Sequence, residues 1–159
     1  MKNVELSSDN VDPPDWLPDL SDVASEVYGR IERTAWDVGV LLCTDQRIAE
    51  LNQTYRKVSG PTDVLTFSQH EQIRENEGAD GPTPIAGDIV VSLPTVAANA
   101  RDYGVSAREE FLRVYVHALL HLAGYSHDGV DLSSPDADEH PMLGLQERLV
   151  TSLSKELDS

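Results

Sequence analysis

Residues 111–123 of this 159-residue chain read FLRVYVHALLHLA, and three of them carry charge or titrate near neutral pH: Arg113, His117 and His121. Each follows the last by four residues, so a helix aligns them as one polar stripe on an otherwise apolar rod. Histidines at i and i+4 present their imidazoles on one face, close enough to share a metal ion. Gly124 comes next, the residue that best tolerates the left-handed conformation ending a helix. His127 follows three residues later, where a reversed chain can return it to the same point. Three neutral imidazoles with an open fourth position describe a catalytic zinc site, in which the pKa of water falls to about 7. A structural zinc would recruit thiolates into a closed shell of four, and the chain has a single cysteine, Cys43. One histidine in a buried helix is usually a hydrogen-bonded core residue. Three of the chain's five within eleven residues, at this spacing, favour the metal. His70, in an acidic stretch, and His140, beside Pro141, read as solvated surface.

The spacing H-x-x-x-H-x-x-G-x-x-H is shared with metzincin zinc proteases, which carry Glu directly after the first histidine as general base. Here that position is Ala118, which cannot move a proton. The ligand geometry is shared and the peptidase base is missing.

Positioning such a stripe needs a framework of helices and strands. Residues ending in Val4-Glu5-Leu6 predict a short strand, and Pro13-Pro14 stops any regular element. Trp16, Leu20, Val23, Val27 and Ile31 recur at three- and four-residue steps, predicting a helix over 15–33. Residues 36–43 alternate, with Trp36, Val38, Val40 and Leu42 on one face, as a half-buried strand does. A helix capped by Thr44 or Asp45 is predicted through about Tyr55. Strands are predicted over 62–68 and 85–92, with an exposed loop over 69–84 between them. Helices follow over 93–103, with Pro94 in its first turn, and from the capping box Ser106-x-x-Glu109 to about Ala123. A last helix over 136–157 has Met142, Leu145, Leu149 and Leu153 as its stripe. The mixture predicts an α+β fold in one domain over 1–159, with the central buried helix carrying the first two histidines.

Composition bounds the rest. No run of 18 apolar residues exists to span a membrane, and no basic segment followed by an apolar one marks a secretory signal. A lone cysteine cannot pair internally and reads as a small buried hydrophobe in a reducing cytoplasm. Twenty-eight acids against twelve bases give a net charge of −16. That argues against coating nucleic acid by bulk phosphate neutralisation, but not against an enzyme engaging RNA in one local cleft.

The run HALLHLAGYSH (117–127) is accompanied by Leu51-Asn52 with Tyr55-Arg56, by Pro61-Thr-Asp-Val-Leu-Thr-Phe67, and by Gly87-Asp-Ile-Val-Val-Ser92. Met142 and Gln146-Glu147 follow in the last helix. In these residues, over roughly 35–150, the sequence resembles the YbeY-type rRNA-maturation endoribonuclease family. It departs at Ala118, where that family usually has Gly, and at Ser126, where it usually has Asp; Asp128 reads as a solvated loop carboxylate.

The resemblance implies a cytoplasmic, single-strand-specific, zinc-dependent endoribonuclease, with one Zn2+ per chain on His117, His121 and His127. It implies action in maturation of the 3′ end of small-subunit (16S) rRNA and in ribosome quality control. The implied partners are single-stranded rRNA and the ribosomal small subunit or ribosome-associated proteins, with no membrane. A small mixed sheet flanked by helices is implied, with the metal at the mouth of a cleft. Arg56 matches the family's motif arginine and is the candidate catalytic residue, since its planar fork suits two phosphate oxygens. Arg113 reads instead as pairing with Glu109 or Glu110. Thr62 and Asp63 read as building the start of a strand, and Asp88 as serving a turn or a supporting hydrogen bond behind the site. Two other classes stay open: a zinc hydrolase of another kind, and a non-enzymatic ribosome-assembly factor with a structural zinc.

Overall fold

The computed structural model of the chain describes residues 2–69, 84–124 and 141–157. His70, His127, Asp128, His140, nearly all of the acidic loop and residues 136–140 of the last helix lie outside the described residues. The elements are β1 (Lys2–Ser8), α1 (Leu20–Arg30), β2 (Trp36–Cys43), α2 (Asp45–Leu51), a π-helical turn (Asn52–Arg56), β3 (Val64–Ser68), β4 (Ile85–Ser92), α3 (Leu93–Tyr103), α4 (Ala107–Leu122) and α5 (Pro141–Leu157). The four strands form one sheet in the order β1-β2-β4-β3. β1, β2 and β4 run parallel, and β3 is antiparallel to β4, so the sheet is mixed and the fold α+β, as expected.

Period-two alternation assigns the two faces. Trp36, Val38, Val40 and Leu42 of β2, with Ile85, Ile89 and Val91 of β4, join the main core beneath α1, α3, α4 and α5. The opposite face carries a smaller cluster of Cys43, Leu65 and Val90 under Ile48 of α2. Cys43 is buried there, and burial, with smaller charge effects, pushes its thiol up to about 11, which keeps it an inert hydrophobe.

Several boundaries differ from expectation: β1 runs on to Ser8 past Leu6, and α1 ends at Arg30, short of 33. α1 starts at Leu20, not near Asp15, because Asp19 caps it by accepting the amide of Asp22 at 3.0 Å. Trp16 and Leu17 still pack on the core, but from outside the helix. The helix predicted through Tyr55 is α-helical only to Leu51 and then widens into the π-turn, which closes at Lys57 with φ of 59°. β3 begins at Val64 rather than Thr62.

α4 is the central helix. Phe111, Leu112, Val114, Tyr115, Val116, Ala118, Leu119, Leu120 and Leu122 are all buried on it. Ser106 caps it by accepting the amide of Glu109 at 3.1 Å, as the capping box predicts. Gly124, with φ of 104°, takes the left-handed conformation just beyond its end. Two buried tyrosines tie α4 to α1 reciprocally: Tyr28 donates to the Leu119 carbonyl at 2.8 Å, and Tyr115 donates to the Leu20 carbonyl at 2.9 Å. Each hydroxyl is thereby satisfied in a place where an unpaired one would cost stability.

Candidate metal centre

His117 and His121 stand one turn apart on α4, half-buried, with ring centroids 4.6 Å apart and planes at 66°. The structure therefore brings together the first two residues of the expected ligand set. His127, with Ser126 and Asp128, lies outside the described residues. Among the described residues, no group of three or more His, Cys, Asp or Glu side chains is placed to hold a metal ion. The donors that are described fit one. They are adjacent imidazoles on one helix face, and the first has a hydrogen-bond partner on the ring nitrogen it does not need for ligation.

That partner is Gln146 of α5, whose Oε1 lies 2.7 Å from His117 Nδ1. Sequence reasoning singled out Gln146 only as part of a family match. The local signal was there, because Gln146 falls on the same face of α5 as buried Leu149, Val150 and Leu153 and is itself buried. A polar residue on an apolar stripe needs a partner, but which partner is decided by packing between α4 and α5.

Arg113 behaves as its stripe position predicts, and does more. Its Nη1 lies 3.5 Å from Glu110 Oε1 and 3.7 Å from Glu109 Oε2, the expected one-turn pairings. Its main partner is Glu147 of α5, held by two prongs: Nε to Oε2 and Nη2 to Oε1, both 2.9 Å. Glu147 in turn accepts the Gln146 amide at 3.2 Å. A continuous chain thus runs Glu110–Arg113–Glu147–Gln146–His117. The hydrogen bonds to Glu147 raise the pKa of Arg113. Glu110 is raised by burial, which Arg113 only partly offsets.

Glu147 gives a pH prediction. Burial alone would raise its carboxyl, but the bonds and charge of Arg113 and the Gln146 amide together bring it below the ordinary value. A depressed folded pKa means that the pair stabilises above the unfolded value of about 4.3 and that this is lost as pH falls through the folded one. The denaturation midpoint of wild type should exceed that of Glu147→Gln by a constant gap from neutrality down to about pH 5, and the gap should shrink below about pH 4. A gap that stays constant throughout the acid range would show that the pair has no such linkage.

Arg56 ends the π-turn. Its Nη2 donates to the Thr66 carbonyl, and its guanidinium lies 5.2 Å over the Phe67 ring. Both partners belong to β3. Tyr55 beside it is 64% exposed and meets Phe67 edge-on at 5.4 Å. Both aromatics line a cleft of about 650 Å³ on the sheet face opposite α4, floored by Leu41 and Val90 and rimmed by Glu5, Arg47 and Asp88. Asp88 approaches the backbone of Gly39 rather than serving a turn; a Cβ there would lie 2.5 Å from its Oδ1.

No helix among the described residues is long and apolar enough to cross a membrane. The family model described as Endoribonuclease YbeY matches residues 5–154. A protein of Treponema pallidum with that name is 34% identical over 159 residues, covering all of this chain and 94% of its own length. One from Treponema denticola is 36% identical, covering 94% of this chain and 93% of its own. A Thermotoga maritima protein whose structure was determined in solution superposes with a TM-score of 0.59 at 26% identity, covering 99% of this chain and 96% of its own.

Proposed function

The chain belongs to the Endoribonuclease YbeY family, and from that premise we propose that it is a zinc-dependent endoribonuclease of the cytoplasm. It cuts single-stranded RNA in maturation of the 3′ end of small-subunit (16S) rRNA and in ribosome quality control. The observation that carries the reading is a family match across residues 5–154 that contains the histidine motif. The paired imidazoles of His117 and His121 on one face of α4 support its metal-dependent part.

His117, His121 and His127 would hold one zinc. When bound, the ion supplies positive charge against the negative charge that builds at a phosphate under attack, and it acidifies water at neutral pH. The chain's own residues do the holding. α4 sets the spacing of the first two imidazoles, and α5 fixes the first through Gln146. Arg56 binds a phosphate of the strand. Its guanidinium is already oriented by Thr66 and Phe67, so little rotamer freedom is lost when its other donors engage two phosphate oxygens. With a net charge of −16, the chain draws little on bulk attraction to RNA. Selectivity then comes from the ribosomal small subunit or proteins bound to it.

The test is cleavage of an end-labelled single-stranded RNA carrying a small-subunit 3′ precursor. The protein is assayed as purified, after a chelator has removed its metal, and after zinc is restored. Arg56→Ala is run alongside. Activity should vanish on stripping and return with about one zinc per chain, and Arg56→Ala should keep its zinc while cutting on the order of a hundredfold more slowly. Cutting that survives stripping would end the zinc-dependent reading, and an Arg56→Ala protein at full rate would end the role of Arg56.

A further inference from the structure

The hydrogen-bond chain behind His117 has a direction, and that direction decides which ring nitrogen carries a proton. Arg113 grips Glu147 by two prongs, Nε to Oε2 and Nη2 to Oε1. That grip keeps the carboxylate ionised, so Glu147 can only accept hydrogen bonds. The Gln146 amide must therefore turn its Nε2 toward Glu147, where it donates at 3.2 Å. The opposite orientation would set the amide oxygen against a carboxylate oxygen. With Nε2 committed, the Gln146 oxygen faces His117 Nδ1 at 2.7 Å, and an amide oxygen can only accept. Gln146 is 6% exposed, so its amide depends on these two partners rather than on water.

We propose that Gln146 is a positioning residue that fixes the tautomer of His117: it accepts the Nδ1–H, which leaves the lone pair on Nε2, and Glu147 with Arg113 sets which end of the amide faces the ring. The consequence for a metal rests on the zinc reading above, because Nε2 is then the ligating atom in a ring whose plane is held before any ion arrives. The tautomer itself is a property of the metal-free chain.

Two measurements test this on the full chain. Long-range nitrogen–proton NMR of the metal-free protein, at a pH where the rings are neutral, reads which nitrogen of His117 is protonated. Competition with a chromophoric chelator reads zinc affinity, with His121→Ala as the ligand-loss control. Wild type should show Nδ1 protonated. Gln146→Leu should lose that preference and bind zinc about 10–100-fold more weakly. Glu147→Gln frees the amide to turn, so it should give a mixture of His117 tautomers without emptying a core position. Nε2 protonated in wild type, or zinc affinity in Gln146→Leu equal to wild type, overturns the proposal. A wild-type chain that takes up no zinc would instead remove the zinc reading, and the tautomers of wild type and Glu147→Gln would still decide this one.

Discussion

A His121→Ala chain is expected to fold as the wild type does, to hold no stoichiometric zinc, and to cleave single-stranded RNA on the order of 10³-fold more slowly, the scale on which losing a group that stabilises developing charge acts. The fold should survive because His121 is half-buried near the end of α4 and belongs to neither apolar cluster. Alanine is the best helix former, so the last turn of α4 keeps its backbone. The metal should not survive, because two remaining imidazoles cannot close a catalytic shell that needs three protein ligands. Far-UV circular dichroism, zinc content and cleavage rate, taken on the same preparation, separate these effects. Equal cleavage by wild type and variant would mean that the activity comes from elsewhere and that the pair on α4 is not the centre.

Gly87→Ala should destabilise the chain by about 3 kcal/mol, at the upper end for overpacking a tight site, lowering Tm by roughly 6–12 °C for a chain of this size. Gly87 lies in β4 where the last turn of α4 crosses the sheet. A Cβ there would sit 2.5 Å from the Phe67 carbonyl oxygen, 2.8 Å from Leu122 Cδ2 and 3.1 Å from Ser68 Cα. Two of those three atoms are backbone, so no rotamer change clears the space. Strand and helix must part, and Leu122 is the neighbour of His121, so zinc affinity should fall along with stability. Gly29, near the end of α1, supplies a control of opposite sign. Nothing lies within 4 Å of its added Cβ, so Gly29→Ala should stabilise by about 0.4–1 kcal/mol through the unfolded chain. Parallel thermal melts of the two variants check both. A Gly87→Ala chain that melts with wild type would show that the sheet yields at this point.

Much of this architecture is legible in the residues themselves, and the parts that are not share a cause. β2 and β4 match their predicted limits because alternation and flanking caps both mark them. The stripe on α4 is legible because a helix converts a spacing of four into a face, and the ends of α4 because Ser106 and Gly124 bound it. The early start predicted for α1 fails for a local reason, since Trp16 continues the apolar period although Asp19 caps the helix three residues later. The π-turn fails differently. One additional residue per turn leaves no mark in a pattern as short as Asn52–Arg56, yet it alters the direction in which Tyr55 and Arg56 leave α2. Partners far apart in the chain are the least legible. Arg113 has acids at three and four residues' distance, and these are the ones a helical period finds. The stronger grip comes from Glu147, 34 residues on. Likewise, Gly87 reads as a motif glycine, while the physical demand on it comes from Phe67 and Leu122 across the fold.

The reciprocal tyrosines carry a consequence for how the molecule is made. The Tyr28 hydroxyl reaches a carbonyl 91 residues further along, at Leu119, between the two histidines, and Leu20 waits for a hydroxyl 95 residues ahead. At the pace of synthesis, roughly 5–20 residues per second, α1 exists for about 5–18 s before its partner helix is complete. Such long closures are slow to nucleate, because chain entropy is lost before the contacts form. The Gln146 bond comes 29 residues later again than His117. A chain halted short of α5 would therefore hold both imidazoles without the amide that orients the first, which makes the centre one of the last parts to mature.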